Sequence, residues 1–570
     1  MAQRNVLQQP KHAAKTNRNW FDMSHHVIFS DSIGLLSPVA CFETIPNEHY
    51  KISIDSFCRS QAVNTSSFMR VKEQYDVFSV PIRLLWSYAD QFFSQISNYT
   101  SVVFSNNQQG KSPVRTPLID YRAFQADGQI VTAAKESDEF ELPKQFGFDR
   151  IFHQLEYGIW QSGDDIANTQ FINDNFSRNP FRAAAYQKIY HDYFQNTDYE
   201  DIPVECYNLD YSPGGVIAPQ NQYLRELFRL RYRDRRKDFF TVVKPSFNLS
   251  PSMPYLSSVE DNIYYGGNTD ALPQAPNSVK NLIDDQLLFN MGGYRGTSTD
   301  SRLAVGKDFT AGSSVDYSNA DDTMVITAQN IRAILAFDRL NQNIGLGGRD
   351  YRSQIESRFG VKLPQLRSDK CIYLGSFDGS VVVSEVLATN GDDLGQIGGK
   401  GTGSVNGRQI EFDSLEHSII MVIHSFLPYT DYYATMLDRH NTKSEFLDYF
   451  QPELDNLGAQ PQYGYELDTR EAIARQREIV GFVPRFIEDK TKVNKVFGAD
   501  FANAVWTALS NPYSPVRKGY AALKVNPKDF NSQFGIAFDG TSKTDQFICR
   551  AMINCTKLSP MSVYGLPNYQ

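Results

Sequence analysis

The chain is poor in cysteine: its 570 residues include six cysteines and no C-x-x-C pair. This excludes a disulfide scaffold and a zinc finger, so we expect free thiols in a reducing cytoplasm. The nine histidines form no H-E-x-x-H motif, and there is no G-x-S-x-G nucleophile motif. The Gly-rich stretch 395–403 fails as a phosphate-binding loop, because Leu394 and Gly401 replace its first glycine and its Ser or Thr. We therefore predict no catalytic residue, no cofactor and no metal ligand.

Long apolar runs are also absent. The longest, such as residues 418–423, fall far short of the roughly 18 residues of a membrane helix, and the N-terminus has no apolar signal segment. The chain is not basic either, since 56 Lys and Arg stand against 65 Asp and Glu, a net charge of −9. This excludes a protein that coats nucleic acid with its whole surface, so any such contact must be local. What is present, 41% hydrophobic and 13% aromatic residues, indicates a folded protein with a large core.

Most of the periodic segments are typical of strands. Polar and apolar residues alternate over 51–57, residues 417–426 are almost continuously apolar, and Asp378-Gly379 predicts a hairpin turn. The Gly-rich residues 390–407 predict a loop. Three helices are predicted, after Asn179-Pro180, near 330–341 and over 466–477. Many scattered strands joined by long excursions favour an antiparallel β-sandwich or jelly roll over an α/β fold.

Two segments differ from the rest in charge. Residues 1–21 carry four basic residues and no acid before Asp22, which predicts a flexible basic arm, with an ordinary frayed terminus as the alternative. Residues 251–325 are rich in Gly, Asn, Ser and Pro and carry ten acids against four bases, a net charge of −6. A segment of that length is either a functional excursion or disordered. Its tyrosines and phenylalanines favour partial order.

A third segment, residues 225–237, is strongly basic. If it is helical, one face carries Arg225, Arg229, Arg233 and Arg236, with Lys237 beside them and aromatic residues interleaved. Positive charge next to aromatic rings suits single-stranded nucleic acid, because phosphates pair with the charges and bases stack on the rings. A solvated face and a subunit interface are the alternatives.

A series of short motifs runs in order along almost the whole chain and resembles the major capsid proteins of microviruses, the tailless icosahedral phages with single-stranded DNA. The gokushovirus-like branch is the nearest comparison. The motifs are FDMS (21–24), GLLSP (34–38), YDVFSVPIRLLW (75–86), NPFRA (179–183), KDFFT (237–241), GRDY (348–351), DYFQPEL (448–454), GFVPRF (481–486) and YGLP (564–567). Phe239 and Ala459 depart from the family pattern, where Tyr and often Glu stand.

The resemblance implies an eight-stranded antiparallel jelly roll with long loop insertions and a few helices. It implies a basic arm over 1–30 and one capsid domain over 31–570, interrupted by insertions that include 98–178 and 251–325. Segment 251–325 would be a surface protrusion used in host attachment. Its candidate contact residues are Tyr264, Tyr265, Phe289 and Tyr294.

The resemblance also implies sixty copies in a T=1 shell around a circular single-stranded DNA genome, assembled in the host bacterial cytoplasm and found in the virion. Its implied partners are an internal scaffolding protein, a DNA pilot protein, a small basic DNA-binding protein and a host cell-surface receptor. The residues expected to face the DNA or a neighbouring subunit are Lys11, Lys15, Arg18, Arg225, Arg229, Arg233, Arg236 and Lys237.

Two other classes of function compete with a shell protein. A carbohydrate-binding or carbohydrate-active β-sandwich would use paired carboxylates, whose separation is set by the fold and cannot be read from the sequence. Only four Trp are present, which is few for the aromatic surfaces on which sugars stack. A single-stranded DNA-binding module acting alone is disfavoured by the net charge of −9.

Overall fold

The structure is a computed structural model, and the chain divides into two compact units, residues 246–362 and the remainder. The residues that the structure describes are 18–63, 70–94, 115–119, 151, 154–157, 177–218, 221–245, 264–265, 315–316, 355–356, 359–360, 369–387, 397–433, 436–452, 455, 459–467, 469, 478–497, 523–527, 530, 534, 545–561 and 563. No helix in those ranges is long and apolar enough to span a membrane.

One antiparallel sheet of ten strands dominates the larger unit. Its strands are β1 (Asn19–Asp22), β2 (His25–Asp31), β3 (Ser37–Thr44), β4 (Glu48–Ser60), β5 (Val71–Pro81), β10 (Ile372–Leu387), β11 (Ile397–Asn406), β12 (Ile410–Ser414), β13 (Ser418–Pro428) and β18 (Phe547–Ser559). Short two-stranded sheets hold β6 (Pro117–Ile119) with β7 (Gly215–Ile217), β8 (Tyr264–Tyr265) with β9 (Val315–Asp316), β14 (Tyr432–Tyr433) with β17 (Lys495–Val496), and β15 (Ala459–Tyr463) with β16 (Ile479–Pro484).

The strand order fits a viral capsid jelly roll. β3, β13, β5 and β10 pair in that order. On the other side, β2 pairs with β18, β18 pairs with β4, and the other edge of β4 pairs with β11 and β12. The β10–β11 pair joins the two groups into one curled sheet. Such doubling back, in which strands distant in sequence become neighbours, is how a jelly roll protects its edges. The predicted mainly-β antiparallel class is confirmed.

The core lies between the two groups of strands. Side chains of β4 and β18, such as Ile54 and Ile553, pack against side chains of β5 and β13, such as Val77 and Val422. The opposite face of β13 packs beneath helix α3 through residues such as Met421. β13 is therefore buried on both faces, as its continuous apolar run predicts.

The described residues include six short α-helices, and the predicted helix after Asn179-Pro180 is confirmed. They are α1 (Ile82–Leu85), α2 (Ala89–Ser94), α3 (Phe181–Ile189), α4 (Tyr223–Leu227), α5 (Gly464–Leu467) and α6 (Ile487–Lys490). The Asn179 side chain accepts a hydrogen bond from the Phe181 backbone N–H at 3.2 Å, and a π-helical turn, Tyr190–Phe194, extends α3. The predicted helix 330–341 and most of 466–477 lie outside the described residues.

Two local predictions are wrong. Asp378-Gly379 makes no hairpin turn, because β10 runs straight through it and pairs with β5 there. Residues 397–406 of the predicted loop form β11. Its glycines let neighbouring side chains approach the backbone closely and do not make the segment flexible. A Cβ added at Gly403 would come within 2.7 Å of Cys58 Sγ.

The predicted basic arm of residues 1–30 is too long at its C-terminal end. Residues from Asn19 onward form β1 and β2, and both strands pair with β18. The part of the arm before Arg18 lies outside the described residues.

Candidate functional site

The basic segment 225–237 is extended over most of its length. Helix α4 ends at Leu227, and the backbone beyond it runs between two other stretches of chain. The Arg233 N–H donates to the Gly34 carbonyl at 2.7 Å, and the Val525 N–H donates to the Arg233 carbonyl at 2.9 Å. The prediction of one helical face with four arginines is therefore wrong. Backbone pairing to distant segments overrides the helical periodicity, because it satisfies the peptide groups of a buried stretch.

Two arginines of this segment form ion pairs and hydrogen bonds within the chain. Arg231 is 2% exposed; its guanidinium donates to the Gln187 amide oxygen at 2.7 Å and lies 3.4 Å from Glu226 and 3.7 Å from Glu200. Arg233 lies 3.5 Å from Asp76 and donates to Ser425 Oγ at 2.7 Å. Burial lowers the pKa of Arg233, and the Asp76 carboxylate opposes that effect. These two charges already have their counter-ions within the chain.

The remaining predicted residues of the segment differ in exposure. Arg229 is partly buried and pairs with Glu226 at 3.3 Å, three residues earlier in the chain. Arg236 and Lys237 are exposed. The side chain of Arg225 lies outside the described residues. The structure thus separates the basic segment into an inward part and an outward part at its C-terminal end.

At that outward end, two arginines approach one aromatic ring. The Arg236 guanidinium lies 4.4 Å from the centre of the Tyr429 ring, and that of Arg70 lies 5.3 Å from it. Arg70 also pairs with Asp431 at 2.5 Å while its side chain stays 53% exposed. Exposed guanidinium groups stacked on an aromatic ring suit phosphates and unpaired bases. We call Arg70, Tyr429, Arg236 and Lys237 the arginine–tyrosine patch.

Sequence reasoning missed Arg70 and Tyr429. The β5–β13 register ends at Val71 opposite Pro428, so Arg70 and Tyr429 follow as the next pair, and the Tyr429 N–H donates to the Arg70 carbonyl at 3.0 Å. These residues stand 359 positions apart in the chain. Only a correct strand pairing could have brought them together.

Of the predicted arm residues, the structure describes Arg18. Its guanidinium donates to the Asn47 carbonyl at 2.7 Å and to the Asn47 side-chain oxygen, at the turn between β3 and β4. Lys11 and Lys15 lie outside the described residues. Among the predicted protrusion residues, Tyr264 and Tyr265 pair with Asp316 and Val315 across β8 and β9. Phe289 and Tyr294 lie outside the described residues.

A second surface is apolar rather than charged. Four large side chains within five residues are exposed, Phe446 by 74%, Leu447 by 58%, Tyr449 by 55% and Phe450 by 48%. Sequence reasoning did not single them out as contact residues, although they precede and overlap the DYFQPEL motif. We call residues 446–450 the aromatic strip. Contiguous exposed apolar side chains of this size mark contact surfaces between proteins.

The aromatic strip is held in place by its own backbone contacts. It begins with a 3₁₀ turn, Phe446–Asp448, and the Asp448 carboxylate accepts hydrogen bonds from the Ser444 and Glu445 N–H groups, each at 2.9 Å. These bonds lower the pKa of Asp448. The Phe450 ring meets the Phe486 ring edge to face, with centroids 5.2 Å apart. The exposed side chains are thus presented in a fixed conformation.

Three residues in or near α5 and β15 have buried polar atoms without hydrogen-bond partners among the described residues. They are Glu466 Oε2, Arg439 Nη1 and both polar atoms of the Gln462 amide. The other guanidinium nitrogen of Arg439 lies 3.7 Å from Glu466 Oε1. Burial raises the pKa of Glu466 to about 7, against the opposing charge of Arg439. This carboxyl group therefore titrates near neutral pH.

One group of side chains in the described part of the chain has the composition of a metal site. Glu73, His424 and Cys549 place one ligand atom each within 4.8 Å of the others, and all three are buried. These three residues are far apart in the chain and form no metal-binding motif. The sequence therefore offers no reason to predict His424 as a metal ligand.

Comparison with known proteins identifies the family of the chain. A family model described as "Capsid protein (F protein)" matches residues 11–122 and 156–569. The chain is also similar to capsid protein VP1 of Chlamydia phage 1. The two are 21% identical over 617 aligned residues, which cover 97% of this chain and 96% of that protein.

Proposed function

Because the chain belongs to the family of phage F-type capsid proteins, we propose that sixty copies of it close into a T=1 icosahedral shell around a circular single-stranded DNA genome. Membership in the family makes the chain a capsid protein of a phage, a component of the virion and a structural protein rather than an enzyme. A closed shell needs self-association through a few repeated contacts that satisfy point-group symmetry.

The aromatic strip is the observation that carries this proposal. Phe446, Leu447, Tyr449 and Phe450 are 48–74% exposed in the single chain, and a fixed 3₁₀ turn holds them there. Aromatic side chains are enriched at the centres of subunit interfaces, because they bury a large area and lose little rotational freedom. We propose that the aromatic strip is covered by a neighbouring copy in the shell.

The arginine–tyrosine patch supports a contact with the genome. Arg70 and Arg236 are exposed beside the Tyr429 ring, and the exposed Lys237 follows Arg236 in the chain. We propose that this patch, together with the basic arm that includes Lys11 and Lys15, lies on the side of the shell that faces DNA. The charges of Arg231 and Arg233 are satisfied internally, so we assign them no DNA contact.

Further partners follow from the family resemblance. We propose assembly in the cytoplasm of a bacterial host with an internal scaffolding protein, and a finished particle that also holds a DNA pilot protein and a small basic DNA-binding protein. Segment 251–325, which includes Tyr264, Tyr265, Phe289 and Tyr294, is proposed as the surface protrusion that meets a host receptor. Its net charge of −6 suits a solvent-exposed excursion.

The native mass of the purified protein tests the shell. Sixty copies of a 64.7 kDa chain amount to about 3.9 MDa. We expect light scattering to give a uniform species near that mass, and negative-stain images to show closed particles, when the chain is produced together with its scaffold. A monomer or small oligomer under those conditions would contradict the proposal.

A further inference from the structure

Four side chains from four strands converge between the two halves of the main sheet. Cys58 on β4 and Cys549 on β18 are directly opposite each other in the antiparallel register. Glu73 comes from β5 and His424 from β13. Their exposed fractions are 0% for Cys58, Glu73 and His424 and 1% for Cys549, so solvent does not reach them.

The ligand-type atoms of this cluster lie close together. His424 Nε2 is 3.7 Å from Glu73 Oε1, and with Cys549 Sγ the three ligand atoms fall within 4.8 Å of one another. Ligand atoms of a tetrahedral zinc ion are roughly 3.3–3.8 Å apart, given bond lengths of roughly 2.0–2.3 Å. The imidazole–carboxylate pair already has that separation.

The side chain of His424 is oriented as in many metal sites. Its Nδ1 lies 2.6 Å from Asp31 Oδ2, so the ring donates its N–H to a carboxylate and turns Nε2 toward Glu73 and Cys549. Asp31 in turn accepts from Ser37 Oγ at 3.0 Å and from the Ser32 N–H at 2.9 Å. A carboxylate that fixes the distal nitrogen of a ligating histidine is the usual support of a bound zinc ion.

Glu73 is supported in the same way. Its Oε1 accepts hydrogen bonds from Ser56 Oγ at 3.0 Å and from the Tyr75 hydroxyl at 2.9 Å. Its other oxygen, Oε2, has no hydrogen-bond partner among the described residues, and neither has His424 Nε2. Buried polar atoms without partners are costly, and two of them in one place point to a ligand that satisfies both.

The cluster lies in an apolar surrounding. The imidazole of His424 stands between the carboxylates of Asp31 and Glu73. The rings of Phe29, Tyr75 and Phe426 surround that imidazole with centroids 4.7–5.0 Å away. Because water is excluded, a polar atom here must find its partner in the protein or in a bound ion.

We propose that Glu73, His424, Cys549 and Cys58 form a structural zinc site that ties β4 and β18 to β5 and β13. Imidazole and thiolate ligands select zinc over magnesium or calcium, and four protein ligands leave no open position, as in structural rather than catalytic sites. Gly403 on β11 leaves the room that the Cys58 thiol occupies. The site does not depend on the proposed shell or genome contacts.

Zinc binding competes with protonation of the ligands His424 and Cys549. Burial lowers the pKa of His424, but the neighbouring carboxylates of Asp31 and Glu73 outweigh burial and raise it to about 9. Burial also raises the pKa of the Cys549 thiol. Zinc must displace these protons when it binds, and burial of the site means that it binds while the chain folds.

The test measures zinc in the full-length protein produced with zinc sulfate and purified under reducing conditions. We expect about one zinc ion per chain to survive dialysis against EDTA and to be released when guanidinium unfolds the protein. Production with Co²⁺ instead should give the thiolate charge-transfer absorption in the near ultraviolet and the visible bands of tetrahedral cobalt. These measurements on the unaltered chain need no variant that might fail to fold.

Two variants locate the ion. Cys549→Ser should lower the retained zinc at least tenfold, whereas Cys555→Ser should leave it unchanged. Cys555 is a matched control because it lies on the same strand with 0% exposure and outside the cluster. Zinc below about 0.1 per chain together with no cobalt spectrum would overturn the proposal. So would a Cys58–Cys549 disulfide, seen as two thiols fewer than the six of the sequence.

Discussion

Replacing Phe446 with alanine should weaken assembly without weakening the fold. Phe446 is 74% exposed in the single chain, so its ring adds little to the core. If a neighbouring copy covers it, alanine removes most of the contact area of that ring. An aromatic side chain offers roughly 200 Å², of which the exposed share is about 150 Å². At about 25 cal/mol per Å² this area stabilises a contact by about 4 kcal/mol, of which the methyl group of alanine would keep about 1 kcal/mol.

A loss of about 3 kcal/mol per contact is roughly a hundredfold change in an association constant. We therefore expect the protein concentration at which particles form to rise by about two orders of magnitude in Phe446→Ala. Light scattering against protein concentration, with the scaffold held constant, measures that threshold. Phe446→Leu keeps most of the apolar area and is the matched control, which should assemble near the wild-type concentration.

The urea midpoint of the unassembled chain separates assembly from folding. It should be the same for Phe446→Ala, Phe446→Leu and the wild type, because the ring lies on the surface. Particles of Phe446→Ala that form at the wild-type concentration, from a chain with an unchanged urea midpoint, would refute the assignment of the aromatic strip to a subunit contact.

Three further predictions concern pH, nucleic acid and host attachment. The pKa of Glu466, raised to about 7, means that the folded state holds its proton more tightly than the unfolded state. The unfolding free energy of the unassembled chain should therefore fall by up to about 3 kcal/mol between about pH 4.5 and pH 7, and Glu466→Gln should remove that fall; equal urea profiles for both proteins would contradict it. The double variant Arg70→Gln, Arg236→Gln should bind single-stranded DNA with a log–log salt slope smaller by about 1.4, while Arg408→Gln keeps the wild-type slope. Replacing 251–325 with a Gly/Ser linker should leave particle assembly intact but abolish attachment to host cells; loss of assembly with normal attachment of the residual particles would contradict the protrusion.

Elements that local physics determines could be predicted from the sequence. The segment after Asn179-Pro180 has a capping Asn, a proline at its start and apolar residues at helical spacing, and the structure places the almost wholly buried α3 there. The apolar run 417–426 predicts a strand buried on both faces, and β13 is one. In both segments the local pattern of caps and apolar residues specifies the type of element, although its partners lie far away in the chain, so a short window of sequence carries the information.

Where a distant partner overrides the local preference of a segment, the same reasoning fails. Glycines in 397–406 predict a loop by composition, yet β11 needs them because neighbouring side chains such as Cys58 occupy the space of a Cβ. The basic segment 225–237 has helical spacing, yet its backbone pairs with Gly34 and Val525 in an extended conformation. A glycine or an arginine has the same local preference in either setting, and the partner that decides between them lies far away in the chain.

Two of the candidate sites that sequence reasoning missed, the arginine–tyrosine patch and the buried cysteine cluster, depend on one physical property of this fold. An antiparallel sheet that doubles back makes neighbours of strands from opposite ends of the chain, so Cys58 meets Cys549 and Arg70 meets Tyr429. Functional side chains in such a sheet are separated by hundreds of residues, and no spacing motif can show them. The strand register is therefore the quantity to test. If Cys58→Ser and Cys549→Ser both lose the zinc while Cys555→Ser keeps it, the ion lies between β4 and β18, as the pairing of Cys58 with Cys549 requires.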